Sequence, residues 1–169
     1  APTWSKPLEA LIRLRIDGKL SKAPLTQELN DFRRLQPSSY KVWLFEARYA
    51  HQLGRHQDAL YGYTRTLEMR PRTLSALLNR GDLHLLMRRS DLALQDYREV
   101  LKLRPRNRDA LWGKLLALVG IKDWKSAHQL ANTLAREEPD NIALWNLQNR
   151  ASKHSGLPPP PPRKQATRD

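Results

Sequence analysis

The chain has 169 residues, 40% hydrophobic and 28% charged, which fits one domain or a short repeat array with a packed core. Cysteine is absent, which excludes disulfides, thiolate metal sites and thiol nucleophiles, and no apolar run approaches the roughly 18 residues of a membrane span. The net charge of +13 is spread along the chain; it fits either a compositional bias or an anionic partner such as nucleic acid, lipid head groups or an acidic protein.

Hydrophobic periodicity predicts helices at about 6–16, 23–36, 39–53, 56–69, 73–87, 90–103, 107–120, 124–137 and 141–153. The first carries an apolar stripe of Leu8, Leu11, Ile12 and Ile16. Asp17-Gly18 then turns the chain, and Pro24 opens a second helix with Leu25, Leu29, Phe32 and Leu35 on one face. From residue 37 onward the sequence is periodic. Pro37, Pro71, Pro105 and Pro139 are 34 residues apart, as are Ala59, Ala93 and Ala127, the pair Tyr63 and Tyr97, and the series Trp43, Leu77, Leu111, Trp145. Ala47 and Gly81 share a phase that Leu115 occupies in the third copy. Gly54 marks the turn of the first copy, whereas Gly120 falls two residues before the equivalent place in the third. The last stretch, GLPPPPPRKQATRD at 156–169, has too few apolar groups for a core of its own. Its five prolines make a stiff polyproline II run, either a linker or a ligand for an aromatic groove.

These residues resemble the tetratricopeptide repeat, a helix–turn–helix unit of 34 residues. The first clear copy, YKVWLFEARYAHQLGRHQDALYGYTRTLEMRPRT at 40–73, carries the pattern best through Trp43, Ala47, Gly54, Ala59, Tyr63 and Pro71. The resemblance implies an all-α, right-handed solenoid of stacked antiparallel helix pairs. Its expected organisation is a degenerate N-terminal hairpin at 1–37, repeats at 40–73, 74–107 and 108–141 followed by a capping helix to 153, and a disordered proline-rich tail at 154–169. Small residues such as Ala47 and Gly81 let paired helices approach, and each amphipathic pair must stack on a neighbour to bury its face.

The resemblance further implies a concave groove lined by the first helix of each pair. By phase its lining includes Leu44, Phe45, Arg48, Asn79, Leu85, Trp112, Leu116 and Arg150. Leu44, Phe45, Leu85, Trp112 and Leu116 are expected as apolar anchors, with Arg48, Asn79 and Arg150 orienting a peptide or helix of a partner protein. The carboxylate clamp that some repeats of this family use on chaperone tails is not expected. Only Asn79 fits that constellation, and Leu44, Arg48, Asp109 and Gly113 hold the other positions.

An alternative surface is the turn edge. EMRPRT at 68–73 and KLRPRN at 102–107 place Arg70, Arg72, Arg104, Arg106 and Arg108 along one side of a stack. Arg70 and Arg104 fit helix C-termini, where a cation meets the dipole favourably; Arg72, Arg106 and Arg108 fall near the next helix start, where it does not. Such an edge would take nucleic acid, anionic lipid or an acidic polymer.

No catalytic or metal constellation emerges. His51, His56, His84, His128 and His154 form no i, i+4 pair with an intervening glutamate, and there is no Gly-rich phosphate loop or Gly-x-Ser-x-Gly. His84 falls on a core-facing phase, and most tryptophans fall at packing or groove phases rather than in a basic–aromatic strand. The expectation is a non-enzymatic scaffold that supports assembly of a larger complex, with no cofactor, no metal and no small-molecule substrate.

Overall fold

A computed structural model describes residues 5–18 and 25–161. Among the described residues all regular structure is helical: α1 (Ser5–Ile16), α2 (Thr26–Leu35), α3 (Tyr40–Gln52), α4 (His56–Met69), α5 (Leu74–Leu86), α6 (Ser90–Leu103), α7 (Arg108–Gly120), α8 (Trp124–Glu137) and α9 (Ile142–Ser155). Apart from the start of α2, these bounds follow the periodicity to within two residues. Pro24 lies outside the described residues.

The period is written into the backbone chemistry. Ser39, Thr73, Asn107 and Asn141 precede the first helix of successive pairs at 34-residue spacing. Three of them cap: the side chains of Ser39, Asn107 and Asn141 accept from the backbone N–H of Lys41, Ala110 and Leu144. Thr73 instead turns its hydroxyl back to the carbonyl of Arg70. The turn inside each pair is also periodic. Gly54, Arg88 and Lys122 take left-handed backbone with φ of 71°, 57° and 62°. The third turn therefore sits on Lys122 rather than on Gly120, which ends α7. Glycine occupies the left-handed region freely; an L side chain there costs about 1–2 kcal/mol.

Helices pack on their chain neighbours, with α5 against α7 and α1 against α3 as next-nearest contacts, so the molecule is a quasi-linear stack. Its core has two parts. The longer runs from Leu44 to Ala151 and includes Ala59, Tyr63, Ala93, Tyr97, Ala127 and Ala131, the small and aromatic residues of the repeat. The shorter joins Ile12, Ile16, Leu25, Leu29 and Phe32 to Val42 and Phe45 of α3. Phe32 and Phe45 meet edge to face, 5.5 Å between centroids. Glycine is indispensable at one crossing. Tyr97 inserts between Gly81 of α5 and Gly113 of α7, and a Cβ on Gly113 would lie 2.2 Å from the Tyr97 ring.

Two expectations change here. Phe45 is 1% exposed because the N-terminal hairpin covers its side of α3, and Leu44 is 9% exposed because it packs into the longer core; neither is a groove anchor. The proline tail is not wholly without structure: α9 continues to Ser155, and Pro160 is buried.

Candidate functional site

The apolar surface at the phases expected to line a groove lies on α5 and α7. Leu78, Asp82, Leu85 and Leu86 sit at i, i+4, i+7 and i+8 of α5, and Trp112, Leu116 and Val119 at i, i+4 and i+7 of α7. Each set makes one helix face, and the two helices lie side by side across Tyr97. Leu86 is 59% exposed and Leu116 43%; Leu78, Leu85, Trp112 and Val119 are half-buried against the core. Leu85, Trp112 and Leu116, expected by phase as anchors, lie on this face with Leu78, Leu86 and Val119.

Polar groups frame it. The hydroxyl of the buried Tyr97 donates to Oδ1 of the exposed Asp82 at 2.6 Å and so anchors a carboxylate beside the patch. Burial, and then this contact with Asp82, push the Tyr97 phenol well above its ordinary range, so it stays a donor. Beneath them Arg80 grips the buried Asp96 through two hydrogen bonds, 2.9 and 2.6 Å, tying α5 to α6. His84 is buried as its phase predicts. Burial lowers the pKa of His84, and burial followed by His56 lowers that of His51.

Polar residues expected to face a ligand divide into spent and available. Arg48 is ion-paired with Asp17, and neighbouring groove positions behave alike: Lys41 pairs with Glu9 at 2.6 Å and Gln52 bonds the Ile16 carbonyl. The α3 stretch of the groove is therefore occupied by α1, and Arg48 serves that joint. Asn79 directs its amide N–H to the Ser75 carbonyl at 2.5 Å, which leaves its carbonyl oxygen as an acceptor. Arg150 is exposed and lies over the Trp124 ring at 5.6 Å.

The arginine edge is less uniform than its sequence. Arg70 stacks on Tyr40 at 4.9 Å and donates to its hydroxyl at 2.8 Å, and Arg108 is ion-paired with Glu138. That arginine, after Asn141, holds the Glu138 carboxyl below its usual range. Arg72, Arg104 and Arg106 are exposed and make no ion pair among the described residues. Three loose cations separated by a helix pair are a thin electrostatic footprint.

Similarity to known proteins agrees with the fold. The family model described as tetratricopeptide repeat matches residues 85–151. Among solved structures, a tetratricopeptide repeat protein from Parabacteroides merdae superposes with a TM-score of 0.69 at 21% identity, over 92% of this chain and 60% of that one. The chain thus spans about three fifths of that relative. MamA from Desulfovibrio magneticus gives 0.74 at 17% identity, over 88% and 86%. A chain in the structure of Naa15/Naa10 bound to HypK-THB gives 0.68 at 16% identity, over 91% and 23%. No curated protein sequence matches. No helix among the described residues is long and apolar enough to cross a membrane.

Proposed function

We propose that this protein, a member of the tetratricopeptide repeat family, is a non-catalytic scaffold that seats an apolar segment of a protein partner against α5 and α7. The observation that carries the reading is the row of exposed and half-exposed Leu85, Leu86, Trp112 and Leu116 on one face. Exposed apolar clusters on otherwise polar surfaces mark interfaces. Burying one Leu or Trp is worth roughly 1.5–3 kcal/mol, so a few anchors supply micromolar affinity. Asp82, Asn79 and Arg150 supply polar contacts, an anchored carboxylate, an acceptor and a cation, that fix the orientation of the segment. Partner binding in the Naa15 assembly is a coarse precedent from the same fold. The role is to hold a partner inside a larger complex.

The test compares three chains as bait in native lysate with nuclease present, at low salt and at about 0.5 M, where screening falls to a few ångströms. The groove reading expects one protein retained at high salt by the wild type and by Arg72→Glu/Arg106→Glu, and lost by Leu116→Arg. Retention by Leu116→Arg alongside loss from the double glutamate variant overturns it in favour of the arginine edge.

A further inference from the structure

We propose that the C-terminal end of the stack is a polyproline-reading site, filled in cis by the chain's own Pro158–Pro161. It is independent of the concave groove.

α9 is the first helix of a fourth unit, and Trp145 stands in the phase of Trp43. In the first unit Trp43 is met by Tyr61 of the following helix, 5.7 Å between centroids. No helix follows α9 among the described residues. Instead the chain reverses at Gly156, a left-handed C-cap with φ of 70°, and the proline segment runs back along α9. Ser152 and Trp145 receive it. The Ser152 hydroxyl lies 3.0 Å from the Pro158 carbonyl, and the Trp145 indole N–H donates to the Pro161 carbonyl at 3.1 Å. Pro160 is buried and, with Trp145, Ala135 and Pro139, lines a cleft of about 590 Å³.

The register of the two helices fits. Pro158 and Pro161 are one polyproline II turn apart, so their carbonyls share a face about 9 Å long. Ser152 and Trp145 are seven residues apart, two α-helical turns spanning about 10.5 Å on one face. A polyproline helix makes no internal hydrogen bonds, so its carbonyls are open acceptors and its backbone is already ordered. An aromatic wall with an indole N–H set on one carbonyl is the surface such a segment requires.

The receiving groups are held from behind. Ser152 Oγ is 2.9 Å from His128 Nδ1 and 3.0 Å from the Gln148 carbonyl. One hydroxyl proton faces two carbonyls and serves one of them at a time; with a proton on Nδ1, His128 donates to Ser152 Oγ while its Nε2 accepts from Asn132 at 2.8 Å, and Asn132 accepts from Gln148. Ser152, His128 and Gln148 are all buried. These contacts hold the Ser152 oxygen in place beside the Pro158 carbonyl.

The test uses the full chain and follows the Trp145 indole N–H by NMR. The probe is a synthetic peptide of residues 156–163. In the wild type the indole signal should be unchanged by the peptide, because the tethered segment competes at an effective concentration in the millimolar range. Pro160→Gly/Pro161→Gly should move the signal, and added peptide should return it saturably. Adding Trp145→Phe to that variant, with peptide binding read from labelled peptide, should weaken binding at least tenfold while the ring keeps its packing. Peptide binding that ignores Trp145→Phe, or that is equal in wild type and glycine variant, overturns the proposal, as does a glycine variant with an unmoved signal or no response to peptide. A wild-type signal that changes with protein concentration would place the tail of a second copy on the site and overturn the cis assignment.

Discussion

The same groove phases have opposite fates in the two halves of the stack. On α3 they hold Lys41, Leu44, Arg48 and Gln52; Leu44 is buried, and the three polar residues bond to Glu9, Asp17 and the Ile16 carbonyl of the N-terminal hairpin. On α5 and α7 they hold Leu78, Asp82, Leu85, Leu86, Trp112, Leu116 and Val119, and no element of the described chain lies over them. A repeat phase fixes the direction in which a residue points. Whether that direction leads to solvent depends on the neighbouring unit. Phe45, beside the covering hairpin, is core; the apolar residues of α5 and α7, beside an open face, form the proposed docking surface.

The largest expected effect separates these two roles. Phe45→Ala removes a fully buried ring from the N-terminal cluster and should cost about 3–5 kcal/mol in urea unfolding. Partner affinity of the remaining folded protein should stay unchanged; a selective affinity loss would restore Phe45 to the groove. Leu116→Arg should do the reverse. Its site is exposed, so stability should move by about 0.5 kcal/mol or less, while partner affinity should fall at least tenfold in titration calorimetry.

A third prediction uses His84, which is buried with Nδ1 unpartnered and whose pKa burial lowers. The unfolded chain binds the proton more readily than the folded one, so the contribution to stability is complete above an unfolded value of about 6.5. It is lost as pH falls through the lower folded value. His51 shifts the same way. Melting temperature should therefore drop on acidification below about pH 6.5, and His84→Gln should flatten the profile to the contribution of His51. A profile identical to wild type would remove His84 from the account. The smallest effect is at the turns. Lys122→Gly relieves a left-handed side chain but loosens the unfolded chain, and should stabilise by a few tenths of a kcal/mol up to about 1. The equivalent Arg88→Gly should match it, since the two turns share a phase.

Much of this was legible because one period controls several independent features. Proline spacing, in-phase alanines and apolar stripes all agreed, and together they placed the helices. The N-cap series Ser39, Thr73, Asn107, Asn141 was present at the same spacing and would have sharpened the helix starts. Position alone misled at Gly120: the backbone demand falls on the turn register, and Lys122 meets it at a cost. Phase describes an isolated helix, so it does not show that Leu44 packs into the longer core or that Phe45 lies under the hairpin. The stripe of Leu8, Ile12 and Ile16, which needed a surface to cover, was the available signal that α3 had a lid. Composition describes the proline segment in isolation; its described part lies along α9, where Trp145 donates to the Pro161 carbonyl and the Ser152 hydroxyl lies beside that of Pro158.

The most direct measurement is a methyl NMR titration of the leucine-labelled full chain with the protein retained at high salt. The account predicts perturbation of Leu85, Leu86 and Leu116 together, with Leu44 silent. Silence at those three, with shifts gathered at Leu74 and Leu103 beside the Arg-Pro-Arg turns, would contradict it and move the binding surface to the edge.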